Sequence, residues 1–114
     1  MGREPMADAT LLSAILDSLR APLLVADTDH IIRYMNKAAI AFYKGGEALL
    51  GRSLLECHNE QSQQMIREVL VALEAGEEER LISTDEKRRV YMRAVRDTDG
   101  RVLGYYERYD PTPG

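Results

Sequence analysis

The 114-residue sequence has one cysteine, Cys57, no excess of positive charge, no apolar run of membrane length and no internal repeat. A single cysteine excludes an intramolecular disulfide framework and agrees with a reducing compartment. The formal charge of −4 argues against direct nucleic-acid binding, because gripping phosphates needs a net basic face. The longest apolar stretches, such as residues 21–26, fall far short of the roughly 20 residues a membrane-spanning helix needs. Residues 1–10 carry Arg3, Glu4 and Asp8 and lack the apolar core of a signal peptide. A cytoplasmic location is expected. With 45% hydrophobic residues the chain can bury one core, and its length leaves no room for a second domain.

The order of patterns is what remains to be read. Thr10 is expected to cap a helix over residues 11–19, with Leu12, Ile15, Leu16 and Leu19 on one stripe and Pro22 ending it. Residues 22–26 run through the turn Asp27-Thr28-Asp29-His30 into Ile31-Ile32-Arg33-Tyr34-Met35, a strand-turn-strand unit. His30 ends that turn, and histidine tolerates a left-handed backbone better than most residues. Asn36 can cap a short helix over residues 37–43, which Lys44-Gly45-Gly46 breaks. Residues 47–56 read as short helical turns. A longer helix follows over residues 60–74, with Met65, Ile66, Val69, Leu70 and Leu73 on its apolar stripe and Gly76 beyond its end. Three strands close the chain, over residues 78–83, 87–96 and 101–109, the last two joined by the Asp99-Gly100 hairpin signal. Glu77-Glu78-Glu79 facing Lys87-Arg88-Arg89, Arg93 and Arg96 predicts cross-strand charge pairs, although exposed pairs contribute little stability.

Periodicity alone specifies an α+β chain with one sheet. Particular residues say more: Asp27 and Asp29 in the first turn, the Tyr34-Met35-Asn36-Lys37-Ala38-Ala39 junction, Leu50-Gly51-Arg52-Ser53, and Arg96-Asp97-Thr98-Asp99-Gly100 followed by Gly104. In that order and spacing, across residues 12–109, the chain resembles a PAS domain. The tract from Leu50 to Asn59 further resembles a PAS subgroup with a Cys-His pair before the long helix. The resemblance implies a five-stranded antiparallel sheet with helices packed on one face and an N-terminal flanking helix. The expected organisation is a flexible N-terminus (residues 1–9), a flanking helix (10–20), a core (21–109) and a tail or linker start (110–114). A chain beginning at Met1 fits a complete small protein, and its proline-containing end equally fits a linker to an output domain.

The resemblance also implies a sensory or interaction module rather than an enzyme, with a pocket between sheet and helices that in some relatives holds haem, flavin or a metabolite. The candidates to line it are Ile32, Tyr34, Phe42, Leu54, Met65, Ile66, Val69, Tyr91, Met92 and Tyr106. A domain of this size needs these same side chains to make a core, so a filled interior competes with a ligand pocket. His58 and Cys57 are candidate haem or redox residues, since haem needs only one axial side chain. Their adjacency argues against a catalytic dyad, because neighbouring side chains diverge. One cysteine and two histidines are also too few for a zinc site without carboxylates or a partner chain. The chain lacks the Asn-Cys-Arg-Phe-Leu-type tract of flavin photosensors, which argues against covalent flavin chemistry, and no phosphate-cradling loop or kinase element is present.

A homodimer is expected from the same resemblance, with Leu12, Ile15, Leu16 and Leu19 of the first helix and Tyr105 and Tyr109 of the last strand as its surface. Three readings stand: a small-ligand sensor signalling through dimer contacts or to a partner protein or output domain, a filled-core dimerisation module, and a haem or redox sensor using His58 or Cys57.

Overall fold

Asp8 closes the start of the first helix, α1 (Ala9–Ser18), by accepting a hydrogen bond from the Leu11 amide at 2.8 Å. The computed structural model describes residues 8–113. Of the N-terminal stretch expected to be flexible, residues 1–7 lie outside the described residues, while Asp8 and Ala9 form the helix start. Thr10 is therefore inside the first turn rather than its cap. The helix ends at Ser18, well before Pro22, because Leu19 already turns extended.

The elements then follow as β1 (Leu24–Asp27), β2 (Ile32–Met35), α2 (Lys37–Phe42), two short 3-10 turns (Gly46–Leu49 and Leu54–Cys57), α3 (Glu60–Glu74), β3 (Glu79–Thr84), β4 (Arg88–Arg96) and β5 (Val102–Pro111). Asn36 and Asn59 cap α2 and α3, accepting from the amides of Ala39 at 2.9 Å and Ser62 at 2.8 Å. The strands form one antiparallel sheet in the order β2-β1-β5-β4-β3. The last strand runs two residues past its expected end at Tyr109, so Asp110 and Pro111 belong to the sheet rather than to a tail. A proline is tolerated there because β1 flanks β5 only from Gly104 to Tyr106, and beyond it β5 pairs with β4 alone.

The two hairpin turns share one design. Asp27 Oδ1 accepts from the amides of Asp29 and Ile31, and Asp97 Oδ1 accepts from those of Asp99 and Arg101. The fourth position is left-handed in both, His30 at φ 66° and Gly100 at φ 85°. His30 thus occupies a glycine's place, and its side chain is spent elsewhere.

One half of the interior packs Ile66, Val69, Leu70 and Leu73 of α3 against Ala26, Met92, Val102 and Tyr105 of the sheet. Burying each of the larger aliphatic side chains contributes about 1.5–3 kcal/mol. The other half packs Ile32, Met35 and Ala39 with Leu24, Ile40, Tyr43 and Leu49, and Leu54 touches both halves.

Register decides which side chains look inward. On β1, Ala26 opposes Ile32 and Tyr105, whereas Val25 opposes Tyr34 and Tyr106. A bulge leaves Arg33 unpaired and puts Tyr34 on the outer face although it is two residues from the buried Ile32. A second irregularity skips Leu103, since Arg96 opposes Val102 and Val95 opposes Gly104. Counting in twos from the buried Val102 would send Tyr106 inward; the extra residue reverses this, turning Tyr105, Glu107 and Tyr109 inward, opposite Ala94, Met92 and Val90.

On the outer face Glu79 holds Arg93 at 3.0 Å across the β3–β4 pair and Arg108 at 2.8 Å. Among the described residues Arg96 makes no such pair: its guanidinium donates to the carbonyls of Leu73, Glu77 and Gly100, binding the end of α3 to the β4–β5 hairpin.

Candidate functional site

Where the two halves of the interior meet, a cavity of about 120 Å³ remains. Leu24 and Ile32 line it from the sheet, Leu49 and Leu54 from the 3-10 turns, and the rings of Tyr43 and Tyr105 stand on its wall. Its polar lining consists of Cys57, His58 and Glu107, and Tyr106 borders it.

The polar groups are already linked. Tyr109 donates its hydroxyl hydrogen to Glu107 Oε2 at 2.9 Å, so the Tyr43 hydroxyl, 3.3 Å from that of Tyr109, is the donor of its own pair. Burial first, then Tyr43 and the Glu107 charge, push the Tyr109 hydroxyl far above the usual phenol range. On the other wall the Tyr105 hydroxyl lies 2.7 Å from His30 Nδ1. Burial, with Asp27 and Glu107 adding to it, raises Tyr105, while burial and then Arg67 lower His30. A neutral imidazole nitrogen is the better acceptor and a phenol the better donor, so the proton sits on Tyr105. His58 Nδ1 is 2.9 Å from the Leu54 carbonyl, which can only accept, so Nδ1 carries the hydrogen and Nε2 the lone pair. Gln63 fixes the same turn by donating to the carbonyls of Leu55 and His58, both at 2.9 Å.

The residues proposed from sequence divide cleanly. Ile32, Leu54 and Tyr106 border the cavity. Ile66, Val69 and Met92 are buried in the packed half, with Met65 partly buried against it. Phe42 is 56% exposed, because α2 turns that side away and presents Ala39 to the interior. Tyr34 and Tyr91 lie on the outer face; Tyr91 opposes Arg108, whose guanidinium stacks 4.4 Å from its ring centre. Cys57 and His58 both reach the cavity, and among the described residues no hydrogen bond joins them.

Of the expected dimer surface, Leu12, Ile15 and Leu19 are exposed, together with Leu11, while Leu16 is half-buried. Tyr105 is not part of a surface: it is 2% exposed and forms the cavity wall. Tyr109 likewise turns inward to Tyr43 and Glu107. The residues not foreseen at the cavity are Leu24, Tyr43, Leu49, Tyr105 and Glu107. Glu107 follows Tyr105 by two positions, so the signal was present once the bulge at Leu103 fixed the parity of β5.

The Nδ1 bond of His58 leaves a ligating nitrogen of the kind that binds haem iron. The space does not fit the group. Pockets for drug-sized ligands run to about 300–1,000 Å³, and a tetrapyrrole or an isoalloxazine cannot enter 120 Å³ without moving the walls. Among the described residues no cluster of three or more His, Cys, Asp or Glu side chains is placed to hold a metal, and no helix is long and apolar enough to cross a membrane.

The family described as the PAS fold matches residues 16–111. The fold is similar to a C-terminal domain from Streptococcus mutans, at TM-score 0.74 and 22% identity over 95% of this chain and 90% of that one. It is also similar to the PAS domain of a protein from Colwellia psychrerythraea, at TM-score 0.66 and 11% identity over 90% and 95% of the two chains. A third likeness is to the Aer2 receptor of Vibrio cholerae, described as a dual PAS-heme oxygen sensor, at TM-score 0.53 and 20% identity over 81% and 94%. Among curated proteins none matches.

Proposed function

The chain belongs to the PAS-fold family, and from that premise we propose that it is a sensory domain without catalysis of its own, which takes a small ligand in the cavity and passes the change to a second copy. The observation that carries this reading is the cavity itself: an apolar space with a few converging polar groups, set between the two packed halves of the interior. Its size suits a handful of heavy atoms, since a dry cavity of about 150 Å³ is enough for a benzene molecule.

A route outward starts at the same wall. Ile32 and Tyr43 flank the β2–α2 junction, and Asn36 at that junction donates to the carbonyls of Leu16 and Ala21 at 2.9 and 3.1 Å. A ligand that shifts β2 or α2 therefore acts on α1. The exposed Leu11, Leu12, Ile15 and Leu19 of α1 supply the apolar face for a dimer mate. An output domain or partner protein would read the rearranged dimer.

Native mass spectrometry on protein purified without added cofactor tests this. A dimer carrying the extra mass of a small molecule supports the reading, and saturating that molecule at 100 times its Kd should stabilise the fold by about 2.7 kcal/mol. A bare dimer that no ligand stabilises favours a second reading, a filled-core dimerisation module. The specific observation behind that alternative is that the α3 half of the interior is already closed by eight buried side chains.

A further inference from the structure

We infer that the cavity selects a small organic cation, an alkylamine or a comparable N–H donor with an apolar body, with Glu107 as its counter-charge. The inference rests on the sensory reading above and names its ligand class.

Glu107 is the one charged side chain on the cavity lining, and among the described residues no Lys or Arg forms an ion pair with it. The Arg88 guanidinium is stacked 4.7 Å from the centre of the Tyr109 ring. Within the site, most side-chain donors are already used. Tyr43 gives its hydrogen to Tyr109, Tyr109 to Glu107, Tyr105 to His30, and His58 Nδ1 to Leu54. What remains accepts: among the described residues Glu107 Oε1 and His58 Nε2 have no partner. The donors left among the lining residues are the Cys57 thiol, a weak one, and the hydroxyl of Tyr106, which by register belongs to the outer-face positions of β5.

A carboxylate or phosphate ligand would meet a like charge and find no cationic donor, whereas an ammonium would form a charge-assisted bond to Glu107. The Tyr43 and Tyr105 rings add faces that attract cations. The apolar remainder of the lining and the volume limit the ligand's body to a few carbons.

Butylammonium, 1-butanol and butyrate share one chain and differ in the head group. Each would be titrated into the full chain while amide NMR shifts are followed at Tyr105, Glu107 and His58. Butylammonium is expected to bind about tenfold more tightly than butanol, in line with a charge-assisted bond exceeding a neutral one, and butyrate weakest. Glu107→Gln, with folding checked from its amide spectrum, should bring the amine-to-alcohol ratio close to one, and Glu107→Asp should leave it intermediate. Should the glutamine variant not fold, the wild-type ratio and the aspartate variant still decide. Butanol or butyrate binding as tightly as the amine would overturn the cationic class and leave a ligand cavity. No shift at the cavity with any of the three would overturn the ligand reading together with it.

Discussion

Asn36 Nδ2 donates to the Leu16 carbonyl at 2.9 Å, tying the last turn of α1 to the β2–α2 junction across 20 residues of sequence. The side chain is fully buried and every one of its hydrogen-bonding positions is filled: Nδ2 also donates to Ala21, and Oδ1 accepts from the amides of Leu23 and Ala39. Asn36→Ala removes the α2 cap and leaves buried backbone groups without partners. A loss of about 2–4 kcal/mol in urea unfolding is expected. Asn36→Asp keeps the acceptors and loses both donors, so amide exchange in α1 should rise more than in α3. Equal protection of both helices would disprove the tether.

Gly104 lies beside β1 so closely that an added Cβ would sit 2.1 Å from the Ala26 carbonyl oxygen and 3.2 Å from Asp27 Cα. Both neighbours are backbone, so neither can rotate away. Gly104→Ala must push β1 off β5 and is expected to cost about 2–4 kcal/mol. Gly100→Ala meets no atom within 4 Å and strains only its left-handed backbone, for about 1–2 kcal/mol. Thermal unfolding of the two variants side by side checks the order; a larger loss at Gly100 would contradict it.

The sequence carried the element order because its punctuation is local: Asn36 and Asn59 as caps, Gly76 beyond α3 and Asp99-Gly100 in the last hairpin are readable without tertiary contacts. The cavity was less legible. Arg33, Ile82 and Leu103 are each skipped in the strand pairing, and each skip reverses the inward side. The outward side of Tyr34 and the inward side of Tyr105 and Tyr109 follow from where these skips fall, which an unbroken alternation does not give. The inward position of Glu107, which among the described residues forms no ion pair, depends on this parity and could not be read from composition.

The burial of His30 makes stability pH-dependent. Burial and then Arg67 hold His30 below its ordinary value of 6.5, outweighing the attraction of Asp27, Asp29 and Glu74. The unfolded chain therefore binds a proton more readily than the fold, so stability is complete above about pH 6.5 and falls as pH drops towards the folded-state pKa. His30→Asn keeps a side chain that accepts the left-handed turn and removes the titrating group. Urea midpoints measured from pH 7.5 to 5 should decline for the wild type and flatten for the variant. An unchanged slope would assign the effect to another group.

Ile15 is 49% exposed and Leu12 equally so, on a helix with no fully buried residue. A helix held in place only to cover its own sheet would bury that stripe; here Leu12, Ile15 and Leu19 point away, and Asn36, the hydrogen bond from the Lys37 amide to Asp17 and the half-buried Leu16 secure the helix. Ile15→Glu should therefore leave unfolding within about 0.5 kcal/mol of wild type, as exposed substitutions do, while placing a charge in the centre of the proposed dimer face. Sedimentation equilibrium should show the wild type as a dimer and the variant as a monomer at the same concentration. A variant that remains dimeric would move the interface to the outer sheet face around Leu103 and Tyr106, and one that unfolds would mean that the α1 stripe supports its own chain.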